Sequence, residues 1–160
     1  MNSRIAVVAL SLCALATSAW AADDPQIGSW KLDVARSKYV TATPPMGTEV
    51  TVTPFGKDGV SVTVNTVNAK GEKVMFQYSG QYDGKPNPRI ESGPGAVAGQ
   101  MVTLRRLDAR TVERIALLAG KPVGTETWAI SPDGKTRTVR QSGIDAAGKP
   151  IDNTLIYVRK

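Results

Sequence analysis

The chain has no histidine, and its one cysteine, Cys13, lies among the first twenty-one residues. Without histidine, Ser-His-Asp and Cys-His catalysis are excluded, as are zinc sites of the usual Cys/His type. No Asp-x-Asp-x-Asp-Gly run is present for a calcium loop. No metal and no cofactor is therefore expected, and acid–base work falls to Asp, Glu, Lys or Tyr. Past residue 21 there is no thiol to cross-link, so stability has to come from packing and backbone pairing. Long apolar runs are scarce too. The only one, Ile5 to Ala16, is shorter than the ~20 residues a spanning helix requires. No long amphipathic helical pattern follows it.

What is present at the start follows the three-part plan of a secretory signal. Arg4 gives the positive start, the uncharged Ile5–Ala16 stretch the apolar centre, and Ala19-Trp20-Ala21 the small residues around a cut site, followed at once by Asp23 and Asp24. The sequence thus predicts a cleaved signal over residues 1–21 and a single domain over 22–160, delivered to the periplasm or secreted. The formal charge is +6, and Arg4 is the only charged side chain before residue 22, leaving +5 on the domain. A modest positive balance favours acidic or anionic partners. Nucleic acid is not expected, because the compartment is wrong and the basic residues are scattered. No membrane span is expected in the domain, and a monomer is.

The domain reads as short alternating runs, the signature of half-buried strands. Val50–Thr53 and Val60–Val64 alternate. Val74, Phe76 and Tyr78 share one face, with Met75, Gln77 and Ser79 on the other. Further runs cover Gln100–Leu107, Thr111–Leu118, Val123–Ile130, Thr136–Gln141 and Ile151–Val158, and Trp30 and Leu32 lie on a first strand. Gly-Lys recurs between them at Gly56-Lys57, Gly84-Lys85, Gly120-Lys121, Gly134-Lys135 and Gly148-Lys149, with Gly71-Glu72 in the same series. Glycine there supplies the positive φ of a tight hairpin, and the charge beside it is solvated at the tip. Two stretches, Val34–Gly47 with Pro44-Pro45 and Pro86–Gly99 with three prolines, read as long loops. The predicted fold is all-β: an antiparallel up-and-down meander of about 8–10 strands, closed into a barrel so that no edge is left exposed. A two-sheet sandwich is the alternative.

Gly28-Ser29-Trp30-Lys31-Leu32 at the first strand resembles the Gly-x-Trp opening of the lipocalin and fatty-acid-binding (calycin) superfamily. Together with Arg36-Ser37-Lys38, the repeated Asp-Gly-Lys turns and the Asn153-to-Tyr157 ending, the chain is similar to small bacterial exported lipocalin-like proteins. The resemblance implies a calycin-like barrel, with Trp30 plugging one end and Arg159 as the basic residue packed over it, both structural. It also marks two departures. The fatty-acid-binding branch grips a carboxylate with Arg-x-Tyr on its last strand, where this chain has Leu155-x-Tyr157, and Val34–Gly47 is too short and proline-rich for that branch's two-helix lid. Fatty acid itself is therefore not carried over.

The function that follows is binding of a small apolar or amphipathic molecule, with an anionic group as an option. Inward Phe76, Tyr78, Leu104, Ile115, Leu117, Trp128 and Tyr157 are the candidate lining, and a filled core would use the same residues. Arg106, Arg114 and Arg140 are candidate donors to an anion. An inward arginine needs a carboxylate or ligand beside it, and Glu113 and Glu126 are the strand carboxylates placed to supply one. An envelope interaction protein acting through its basic outer surface is a second expectation. A barrel-pocket enzyme built on Tyr, Arg and Glu is the third.

Overall fold

Alternation of Val, Leu and aromatic residues with Thr, Ser and Lys gives most strands one face that leaves water and one that stays in it. The computed structural model describes residues 24–40, 43–144 and 148–160. The signal expected over residues 1–21 lies outside the described residues. Ten antiparallel strands follow one another: β1 (Gly28–Lys38), β2 (Gly47–Pro54), β3 (Gly59–Val67), β4 (Lys73–Gln81), β5 (Asn87–Ser92), β6 (Gln100–Arg106), β7 (Thr111–Leu118), β8 (Lys121–Ile130), β9 (Thr136–Ile144) and β10 (Pro150–Arg159). Each pairs with the next, and β10 pairs back onto β1 with Trp30 opposite Arg159 and Leu32 opposite Tyr157, closing the barrel. No helix is found among the described residues, and none is long and apolar enough to cross a membrane. The glycine of each Gly-Lys or Gly-Glu tip has φ between +61° at Gly56 and +82° at Gly71, the region that tight turns demand.

Two expectations need correction. The first concerns Pro86–Gly99, which is not one long loop: β5 occupies Asn87–Ser92. Its inward residues are polar (Asn87, Arg89, Glu91), and its outward Ile90 is exposed, the reverse of the usual pattern. The second is that β1 runs on to Lys38, inside the predicted Val34–Gly47 loop, by way of a bulge between Asp33 and Lys38. The Arg36-Ser37-Lys38 segment builds that bulge. Arg36 donates to the Asp33 carboxylate from both its backbone N–H and Nε, and the Ser37 hydroxyl donates to the Asp33 carbonyl while accepting from the Ile156 N–H. A side-chain oxygen thereby replaces the ladder partner that the bulge removes.

The core is concentrated at one end of the barrel. Trp30, Val52, Val60, Val102, Leu104 and Val112 have almost no solvent exposure there. Gln26 closes it: its Nε2 donates to the carbonyls of Arg110 and Trp128, and its own carbonyl accepts from the Trp30 indole N–H. Asp24 completes the plug, accepting from the Tyr82 hydroxyl and from Arg106 at 2.7 Å each.

Candidate functional site

Above that plug the barrel is hollow. A cavity of about 520 Å3 opens toward the end formed by the β1–β2 loop and the β9–β10 turn, where Thr43, Pro45, Ile144 and Ile151 reach it. Its apolar wall comes from inward positions of facing strands, among them Leu32, Val50, Val64, Ala116, Val139 and Leu155. A stack of rings descends from the mouth to the floor. Phe76 and Tyr78 lie parallel with centroids 6.3 Å apart, and Tyr78 meets Trp128 at 6.5 Å.

Each step of this wall carries an arginine. The Arg89 guanidinium lies 4.1 Å from the Phe76 ring centroid, Arg114 lies 5.7 Å from Tyr78, and Arg137 lies 4.3 Å from Trp128. Two of the three have carboxylates. Arg89 meets Glu91 at 3.0 Å and donates to Gln100. Arg114 meets Glu126 at 2.7 Å. Glu126 heads a polar row across four strands whose members are register partners: Arg114 on β7, Glu126 on β8, Gln141 on β9 and Asn153 on β10. Gln141 donates to Glu126, Asn153 donates to Gln141, and the Trp128 indole N–H donates to Glu126 at 2.9 Å. Burial alone would raise the Glu126 pKa, but the Arg114 charge and the donors from Trp128, Arg114 and Gln141 outweigh it and hold the carboxyl at about 2. A group so held has no proton to give near neutrality. Burial pushes the Tyr78 and Tyr157 phenols well above their usual range.

The third arginine is different. Arg137 is 3 % exposed, and its Nε and Nη1 have no hydrogen-bond partner. No carboxylate comes within 4.0 Å of it among the described residues. Burial drives its pKa down from the ordinary guanidinium value. No group of three or more His, Cys, Asp or Glu side chains among the described residues is placed to hold a metal.

Of the residues expected to line a site, the barrel brings Phe76, Tyr78, Arg114, Trp128 and Tyr157 to the cavity. Leu104 is inward but buried in the plug below it, and Arg106 belongs to the plug through Asp24 and Tyr82. Ile115, Leu117 and Arg140 are corrections. Ile115 and Leu117 alternate with the inward Arg114 and Ala116, and Arg140 alternates with the inward Val139 and Gln141, so all three point outward. Glu113 also faces outward, bridged to Arg105 at 3.0 Å, so it and Glu126 lie on opposite sides of the sheet. Trp30 is wholly buried in the plug. Arg159 lies 4.2 Å from its ring centroid and donates to the carbonyls of Pro25, Ile27 and Gly134. Sequence reasoning missed Arg89 and Arg137. Arg89 was hidden by the inverted pattern of β5, whereas Arg137 shares strand parity with Val139, a signal that was there to be read.

No protein-family model matches the chain, and no curated protein does. Among solved structures it is similar to the crystal structure of Rv2717c from M. tuberculosis, with a TM-score of 0.50 and 18 % identity over 87 % of this chain and 95 % of that one. At that identity the likeness is one of fold: both chains form a barrel.

Proposed function

We propose that the chain is an exported calycin-like protein, periplasmic or secreted, that holds one small apolar or amphipathic molecule inside its barrel. The observation that carries this reading is the cavity of about 520 Å3 above a packed floor. Small-molecule sites occupy about 300–1,000 Å3 and combine mostly apolar walls with a few convergent polar groups, and this cavity has both. The calycin assignment is supported by Gly28-Ser29-Trp30, with Trp30 in the plug and Arg159 over its ring. Export is supported by the residue pattern of 1–21.

The test is titration with N-phenyl-1-naphthylamine, a neutral dye that brightens in apolar surroundings. Saturable binding of one dye per chain is expected. Filling the cavity with Ala116→Trp, or with Thr66→Trp nearer the mouth, should abolish it while the circular dichroism of the barrel is kept. Absence of saturable binding by the wild type, or dye binding indifferent to both substitutions, sinks the reading. Cell fractionation tests export separately: recovery from the periplasm or medium with Ala22 as first residue is expected, and retention of the full chain in the cytoplasm overturns it.

A further inference from the structure

Three guanidinium groups and one carboxylate, Glu126, border the cavity, and a second carboxylate, Glu91, meets Arg89 at 3.0 Å. Arg89 and Arg114 are matched by these, which leaves one positive charge over, on Arg137 at the floor. A guanidinium cannot shed its proton near neutrality, so burial does not neutralise it as it would a lysine. Leaving it buried and unpaired is costly, and natural interiors do so where something else supplies the opposite charge. What reaches it does so along the edge that borders the cavity. One guanidinium face is taken up by Trp128, and Trp30 lies 6.0 Å away below. Nε and Nη1 are without partners, and the residue itself borders the cavity.

We propose that Arg137 is an anion-binding site at the cavity floor, and that the molecule held there is an amphiphile with a single oxyanion head, of carboxylate type, entering head first. The proposal rests on the ligand-binding reading of the cavity and narrows it. The head pairs with Arg137, and the apolar body runs up past Trp128, Tyr78 and Phe76 toward the mouth. Bulk water is displaced from the floor when the tail fills the channel above, which strengthens the charge pairing. A cationic head is repelled by the same unmatched charge. The site differs in kind from an Arg-x-Tyr clamp on the last strand, since the corresponding position there is Leu155, an apolar wall residue.

The experiment uses two probes with one tail, dodecanoate and dodecan-1-ol, each titrated as a competitor of bound N-phenyl-1-naphthylamine at a pH where the acid is ionised. The wild type should favour dodecanoate at least tenfold. Arg137→Met should bring the two affinities within about threefold of each other, and it should raise the Tm of the empty protein, because an unpaired buried charge is replaced by an apolar side chain of similar length. Arg140→Met on the outer face should leave the tenfold ratio as it is. A wild type that binds both probes equally overturns the anion site while leaving the cavity reading intact. So does a preference that survives Arg137→Met. A wild type that holds the dye but yields it to neither probe overturns the anion site alone, and one that binds no dye overturns both.

Discussion

The two ends of the barrel are built from the same ten strands and solve opposite problems. At one end every inward layer is filled. Trp30, Leu104 and Val112 lie in its interior, Gln26 bonds two backbone carbonyls and the Trp30 indole across the opening, and Asp24, Tyr82 and Arg106 seal the margin. The hairpin tips on that side are closed by an Asp carboxylate that accepts a backbone N–H two residues on, from Lys85 at Asp83 and from Arg110 at Asp108. At the other end the inward layer is not filled, and Val40, Met46 and Ile144 stand exposed around the mouth. The lesson is a division of labour along one axis: the plug carries stability, and the open half gives up packing to leave room.

Five substitutions break or sharpen that comparison, in descending order of effect. Trp30→Ala in the plug should destabilise by about 4 kcal/mol, the transfer term plus the cavity left behind, read as a fall in the urea midpoint. A loss no greater than that from a mouth substitution would erase the contrast. Glu126→Gln, in the polar row of the cavity wall, should cost roughly 3 kcal/mol at neutral pH by leaving Arg114 buried beside a neutral amide. Its pH dependence follows from the held carboxyl. The folded pKa of about 2 lies below the ordinary 4.5, so its stabilisation is full above pH 4.5 and lost as pH falls toward 2. Urea midpoints of wild type and Glu126→Gln should therefore converge as the pH falls, and a gap constant with pH would show that the charge contributes nothing. Arg159→Ala removes three charge-assisted bonds to backbone carbonyls from a partly solvated site and should cost about 2 kcal/mol. Met46→Ser and Ile144→Ser at the mouth should each shift stability by less than about 0.5 kcal/mol, and a larger loss would mean that the mouth is packed against something.

Most strands were legible because their apolar residues alternate toward the core. β3 is the clean case: Val60, Val62 and Val64 are inward, and the register follows from them. β5 was illegible for a physical reason. A strand lining a polar part of a cavity turns Asn87, Arg89 and Glu91 inward, and with Pro88 and an exposed Ile90 outward it reads as a loop. The site was half legible for a related reason. β7 has apolar residues on both faces, so Ile115 and Leu117 compete with Ala116 for the inside, and local alternation alone cannot choose. Across strands the choice is forced: Arg114 sits opposite Glu126, which sits opposite Gln141. Buried polar residues are placed by their neighbours in the sheet, and that information lies far away in the chain.

The pairing of β1 with β10 has a kinetic side. It joins the first and last described strands, so closure waits on the contact of largest sequence separation in the fold, the class of contact that makes β topologies fold in milliseconds to seconds. Until the final strand arrives, β1 and β9 both present unpaired backbone, and partly folded molecules can add to one another there as readily as to themselves. The seam that removes the sheet's edges also joins the most distant of the described strands, so slow closure there would limit how crowded a folding compartment this protein can tolerate.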